Sequence, residues 1–161
     1  MTLVSEVLFL SQAHGNLIVG NNNKIIGSKF IGQNFTAPQY FQSRPSASVS
    51  GSDPNSFGGS NLGPTNPALL GLVANRTSAL REAGVTGSIP SNLVMASGSG
   101  LDPHISLDSA LLQIPAVSKA RNFPEEELKK LVFSESINFP FTGTYVNVLS
   151  LNIALDEKGR I

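Results

Sequence analysis

This sequence predicts an α+β fold: a single mixed domain with a small β-sheet, three to four helices and long loops rich in Gly, Ser and Pro. Three observations lead there. Short apolar runs separated by turn residues near the start read as strands. Later stretches carry apolar residues at helical spacing, behind a capping residue or a proline, and read as helices. Between these two regions lies a long polar stretch punctuated by aromatics. The length, 161 residues with 40% hydrophobic composition, suits one domain with one core.

The elements follow in order. LIV (17–19) and KII (24–26) flank three asparagines, which tolerate the left-handed conformation of a hairpin turn. KFIGQNF (29–35) is expected to add a further strand. Residues 36–66 form a loop, and loops this long in a compact domain are usually functional or disordered. Tyr40, Phe41 and Phe57 give it anchors. A helix is predicted over 67–83, with Asn66 as cap, Pro67 at the first position and Gly84 past the end. Residues 90–96 read as a helical turn or a strand. A second helix runs from Ser106 to Arg121. Pro115 lies inside it and predicts a kink or break, because it lacks an N–H and crowds the carbonyl of Leu111. A third helix covers about 124–134, with Glu125/Lys129 and Glu126/Lys130 as i,i+4 pairs. YVNVLSLNIAL (145–155) is expected to be a strand turning into a final helix.

Composition removes several functions. The net charge is zero, from 11 basic and 11 acidic residues without a cationic cluster, so no nucleic-acid footprint is present. No cysteine occurs, which excludes disulfides, zinc–thiolate sites and thiol catalysis. His14 and His104 lie far apart with no HxxxH or HExxH pairing, so no metal site is expected. Charged residues are only 14% of the chain, and neutral polar groups are less costly than ions to bury against a partner. Asn34 and Asn75 each begin a glycosylation-type sequon, a short pattern with many chance matches.

MASGSGLDPHIS (95–106) holds the residues of greatest chemical interest. A phosphate loop would need a Lys, and none lies between Lys29 and Lys119. The dinucleotide pattern GxGxxG fails at Pro103. Ser97, Ser99, Asp102, His104 and Asp108 offer the residue types of a hydrolytic triad, but the GxSxG elbow is absent. The plainer reading is a glycine turn, closed by Asp102-Pro103, in front of a helix capped by Ser106. Arg44 is a lone cation among aromatics, placed to stack on Tyr40 or Phe41 or to pair with an acid. No catalytic residues are assigned.

Six ordered segments carry a resemblance: IGQNF (31–35), YFQSRPSA (40–47), GGSNLGPTNPAL (58–69), ASGSGLDPHIS (96–106), Gln113 with KAR (119–121), and VNVL-x-LN-x-ALD (146–156). In this order and spacing the chain resembles the KdpC family, the C subunit of the Kdp-type potassium-transporting P-type ATPase of prokaryotes. The resemblance implies a soluble domain over 15–161. Residues 1–14 are then a remnant following a single membrane helix, or the start of the domain. It implies a plasma-membrane complex with an ion-selecting, channel-like subunit, an ATP-hydrolysing subunit and a small membrane peptide. The C subunit is needed for assembly and is not itself an enzyme; no covalent cofactor is implied. One view of the family makes it a catalytic chaperone that raises the ATP affinity of the ATPase subunit. Gln113 would then contact nucleotide, with Ser97 and Ser99 of the adjoining turn. The alternative places the soluble domain outside the cytoplasm, over the potassium-selecting subunit, without nucleotide contact. Gln33, Phe35, Arg44, Asn61, Asp102, His104, Asn147 and Asn152 are the further motif residues expected to shape the fold or the docking surface. Ala116 and Ser118 depart from the Gln-x-x-Arg-Val-Ala of many relatives, which leaves Gln113 without a neighbouring arginine.

Overall fold

The computed structural model describes residues 7–20, 23–48 and 51–159. The elements are α1 (Leu10–Ala13), β1 (Leu17–Val19), β2 (Ile25–Ser28), α2 (Pro67–Glu82), a 3-10 turn (Ser91–Leu93), β3 (His104–Ser106), α3 (Leu107–Arg121), α4 (Glu125–Ser134), β4 (Ser136–Phe139), β5 (Gly143–Asn147) and α5 (Val148–Lys158). This is the expected α+β architecture, with two small sheets in place of one. β1 and β2 form an antiparallel hairpin, and β3-β5-β4 form a three-stranded antiparallel sheet. Among the described residues no helix is long and apolar enough to cross a membrane.

Helix ends follow local chemistry. Asn66 accepts from the N–H of Ala68, and Pro67 opens α2 with the one residue that has no N–H to satisfy. The chain leaves α2 through Gly84, whose φ of +93° suits glycine. Ser106 caps α3 by accepting from the N–H of Ser109, and Asn122 closes it in the left-handed conformation. Asn147 caps α5 through the N–H of Ser150, so the last residue of β5 also starts the final helix. The stretch around 90–96 resolves into the short 3-10 turn.

Three expectations are corrected. KFIGQNF adds no strand: the N–H of Ile31 bonds back to Ser28, and Gly32 instead donates to the carbonyl of Leu101. A Cβ at Gly32 would meet the carbonyl of Asp102 at 3.0 Å, so the close approach there requires glycine. On α4 the ion pair is Lys130 with Glu127, three residues apart, at 2.7 Å. And of the kink or break expected at Pro115, the break does not occur, since α3 runs continuously through it. Pro115 is exposed, so its ring is accommodated on the solvent side without disturbing the packed face. Of the three asparagines proposed as the β1–β2 turn, only Asn23 is described, with φ of +56°; Asn21 and Asn22 lie outside the described residues.

The core gathers between the three-stranded sheet and the helices. Ile105 of β3 pairs with Val146 of β5, and both are fully buried. α3 packs on both strands, α4 on α3, and α5 on α4 and β5. Ala110, Ile114 and Val117 of α3, Leu128 and Val132 of α4, and Leu151 and Leu155 of α5 meet Phe41, which the long loop delivers to the centre.

Pro115→Ala is expected to restore the missing N–H toward Leu111 and to raise stability by about 1–3 kcal/mol. Urea unfolding of the two proteins checks this. A variant no more stable than its parent would show that the helix has already absorbed the proline at no cost.

Candidate functional site

The stretch 97–106 is a hub of backbone contacts. Gly100, with φ of +71°, returns its N–H to the carbonyl of Ser97. Ser99 Oγ accepts from the N–H of Leu101, and Asp102 Oδ1 accepts from the N–H of His104. Other loops converge on this turn. Gly58 donates to the carbonyl of Ser99, and Gly32 to that of Leu101. A Cβ at Gly100 would lie 2.8 Å from the carbonyl of Gly58 and 3.1 Å from Ser46 Oγ, so the glycine is needed for close approach. Ser97 is buried and its Oγ has no hydrogen-bond partner, whereas Ser99 is exposed. Neither hydroxyl bonds to His104, so the triad residue types come close without a nucleophile–base pair. Asp108 is exposed in the first turn of α3.

Gln113 is buried on the inner face of α3. Its Oε1 accepts from the N–H of Gln42 at 2.7 Å. Its Nε2 donates to the carbonyls of Gln42 and Ser109, at 3.3 and 3.1 Å. Asn152 of α5 does the same one residue earlier. Its Oδ1 accepts from the N–H of Phe41, and its Nδ2 donates to the carbonyl of Phe41, both at 3.0 Å. Two side-chain amides thus act as strand partners for the backbone at 41–42 and satisfy groups that a buried loop would otherwise leave bare.

Arg44, two residues on, meets Asp102 rather than an aromatic ring, with Nη1 and Oδ2 3.0 Å apart. His104 Nδ1 lies 3.4 Å from the other carboxylate oxygen. Burial opposes ionisation of Asp102. The hydrogen bonds from the ring and backbone of His104, together with the charge of Arg44, outweigh that and hold its pKa below the ordinary value of 3.8. The cation over an aromatic ring is instead Arg121, 4.8 Å from the centroid of Tyr40. Arg121 also pairs with Asp156, and Tyr40 donates to the same carboxylate. The KAR and ALD segments are therefore brought together on the loop.

The other motif residues are mostly spent on the frame. Gln33 Nε2 donates to the carbonyl of Ile26, tying the N-terminal hairpin down. Phe35 stacks at a tilt on Tyr40, with centroids 5.4 Å apart. Asn147, besides capping α5, donates from Nδ2 to the carbonyl of Lys29. Asn61 is exposed and left-handed, with φ of +52°. A further contact had no signal in the sequence. Arg76, inside α2, donates to the carbonyl of Val94 at 2.8 Å.

Among the clefts formed by the described residues are four of about 270–340 Å³, and Gln113, Ser97 and Ser99 line none of these four. One groups Phe30, His104, Ile137 and Asn147. Two others share Arg44 and Arg76. Among the described residues no group of three or more His, Cys, Asp or Glu could hold a metal.

Asn152→Ala strands the buried N–H and carbonyl of Phe41 and is expected to cost about 2–4 kcal/mol in urea unfolding, and Gln113→Ala, which strands the half-buried groups of Gln42, about 1–3 kcal/mol. A loss near zero for either would mean that the loop is held without it. The shifted carboxyl of Asp102 makes a second prediction. A depressed folded pKa adds stability above the ordinary carboxylate range, and that stability is lost as pH falls through the folded value. The stability gap between the parent and Asp102→Asn should therefore shrink as pH falls from about 6 to about 3. A gap independent of pH would place the cost of the substitution elsewhere.

The family model described as KdpC, K+-transporting ATPase, c chain, matches residues 1–157. A potassium-transporting ATPase KdpC subunit of Methanosphaerula palustris is 49% identical over 160 residues, covering 98% of this chain and 85% of the relative. The subunit of that name from Geotalea uraniireducens is 46% identical, over 99% of this chain and 87% of the relative. That of Geobacter metallireducens is 47% identical, over 98% and 85%. With the match running through every segment that builds the hub and the two amide clamps, the chain belongs to the KdpC family.

Proposed function

We propose that this chain is the accessory C subunit of an ATP-driven potassium-uptake complex, and that it docks rather than reacts. Its partner in docking is the ion-selecting, channel-like subunit, and the complex also contains the ATP-hydrolysing subunit and the small membrane peptide. The full-length form is anchored in the plasma membrane by one helix, with this domain outside the cytoplasm. The observation that carries the reading is an uncharged, apolar surface. From Ser136 to Leu155 no Asp, Glu, Lys or Arg occurs. Within this stretch Ile137 and Phe139 of β4 are 49% and 46% exposed, and Phe141 at the hairpin tip is fully exposed. Leu17, Val19, Ile25 and Ile26 of the N-terminal hairpin are exposed as well. Apolar area of this kind is the ordinary material of a protein interface.

The competing reading is the catalytic chaperone, in which Gln113, Ser97 and Ser99 assist ATP binding. Gln113 favours docking over it, because its oxygen and nitrogen are already committed to Gln42 and Ser109. The two readings separate in one experiment. The complex is purified through a tag on the ATPase subunit, with this chain carrying either Phe139→Ser with Phe141→Ser, or Gln113→Asn. Docking predicts that the double variant, still folded, is recovered with the complex at least about tenfold less well, as loss of interface anchors would produce. It also predicts that Gln113→Asn leaves the apparent ATP affinity of assembled complex unchanged. Full recovery of the double variant, with weakened ATP affinity for Gln113→Asn, would favour the chaperone.

A further inference from the structure

The two clefts that share Arg44 and Arg76 have features of a binding site which the docking reading does not use. They measure about 340 and 270 Å³ and have Asn34, Arg44, Pro45 and Arg76 in common. The smaller adds Ser46 and Ser52, among other polar groups. No Asp or Glu lines either one.

Arg44 is incompletely satisfied, and Arg76 has no acidic partner among the described residues. Arg44 gives Nη1 to Asp102, but its Nε is buried without a hydrogen-bond partner. Arg76 gives Nη1 to a main-chain carbonyl, and among the described residues no carboxylate lies within ion-pair distance of it. Burial lowers its pKa, the mark of a cation held partly out of water with no counter-charge. In a chain with as many acids as bases, a cation so placed is unexpected on grounds of stability alone. A buried donor without a partner calls for an acceptor, and two guanidiniums lining one cleft with serines match the oxygens of phosphate.

We propose that Arg44 and Arg76 together form a binding site for a phosphate-type oxyanion. The anion sits between α2 and the loop that carries Arg44, accepting from both guanidiniums and from the Ser46 and Ser52 side of the cleft. Arg44 keeps its contact with Asp102, so the site has one cation balanced within the fold and one balanced by the ligand. The inference is independent of docking through the apolar hairpin, since no residue is shared between the two surfaces.

The test is an amide and arginine side-chain NMR titration of this chain with inorganic phosphate, at constant ionic strength made up with chloride. The expected result is saturable shifts confined to Asn34, Ser46, Ser52 and the two arginines, at millimolar phosphate or below. Arg76→Gln should weaken binding about tenfold or more, as loss of one charged, bidentate partner would, with Arg76→Lys falling between. The dispersed spectrum of each variant reports its folding in the same experiment. ATP in a parallel arm identifies the source. Tighter binding than inorganic phosphate at these residues points to a phosphate borne by a larger solute, and equal or weaker binding to the free anion. Absence of saturable shifts would overturn the proposal. So would shifts scattered over the surface lysines, or shifts at the cleft that Arg76→Gln leaves unchanged.

Discussion

The fold depends on how the backbone at Phe41 and Gln42 is satisfied. The long loop must send Phe41 into the core, where its side chain is fully buried. A buried backbone needs a partner for every N–H and carbonyl, and no strand lies alongside to supply them. In extended chain, the polar groups of successive residues face opposite ways. Two partners on opposite sides are therefore required. Asn152 on α5 serves Phe41 and Gln113 on α3 serves Gln42, each offering one acceptor and one donor. The loop is in effect a one-residue-per-side strand between two helices. This explains how a segment so rich in Gly, Ser and Pro holds a fixed course.

The rest of the loop follows from that insertion. Arg44 emerges two residues later and finds Asp102, itself fixed by its bond from His104. Farther on, Gly58 bonds to Ser99 beside the glycine turn. On the other side Tyr40 meets Arg121 and Asp156. Neutral amides hold the deepest point and ion pairs hold the half-exposed ones. That order is the one expected from desolvation, since an amide loses less on burial than an ion does.

Much of this was legible in the sequence where the signal is local. Asn66-Pro67, Ser106 and Gly84 mark helix ends because caps act within one turn, and the observed helices begin and end there. The third strand expected at 29–35 failed because Gly32 is drawn to Leu101, a contact nearly 70 residues away that no local pattern reports. β4 went unread for a related reason. Ile137 and Phe139 are exposed on an edge strand, so apolar residues there do not mark a buried face. The triad residue types at 97–108 do not assemble, and the geometry uses Ser99, Asp102 and Ser106 in turns and caps. The partner of Gln113 was beyond reach, since it lies 71 residues away. The family resemblance located these residues without explaining them.

A motif rich in polar residues is usually taken as a sign of chemistry, and this molecule shows why that inference needs the bonding partners. Gln113, Asn147, Asn152 and Asp102 have the look of a site, yet each has its polar atoms committed to holding chain segments together. A side chain with its donors and acceptors already matched gains nothing from a ligand, because binding would break bonds as good as those it makes. The informative groups are those the framework leaves over. Among the described residues, beside the unpartnered hydroxyl of Ser97, two kinds stand out. One is exposed apolar area on the two hairpins, which only another surface can cover without cost. The other is the Arg44–Arg76 cleft, where positive charge exceeds what the fold returns. These leftovers have opposite chemistry and share no residue, so one ligand cannot serve both. A large apolar partner and a small anion are separate demands, and two surfaces that share no residue can answer each of them.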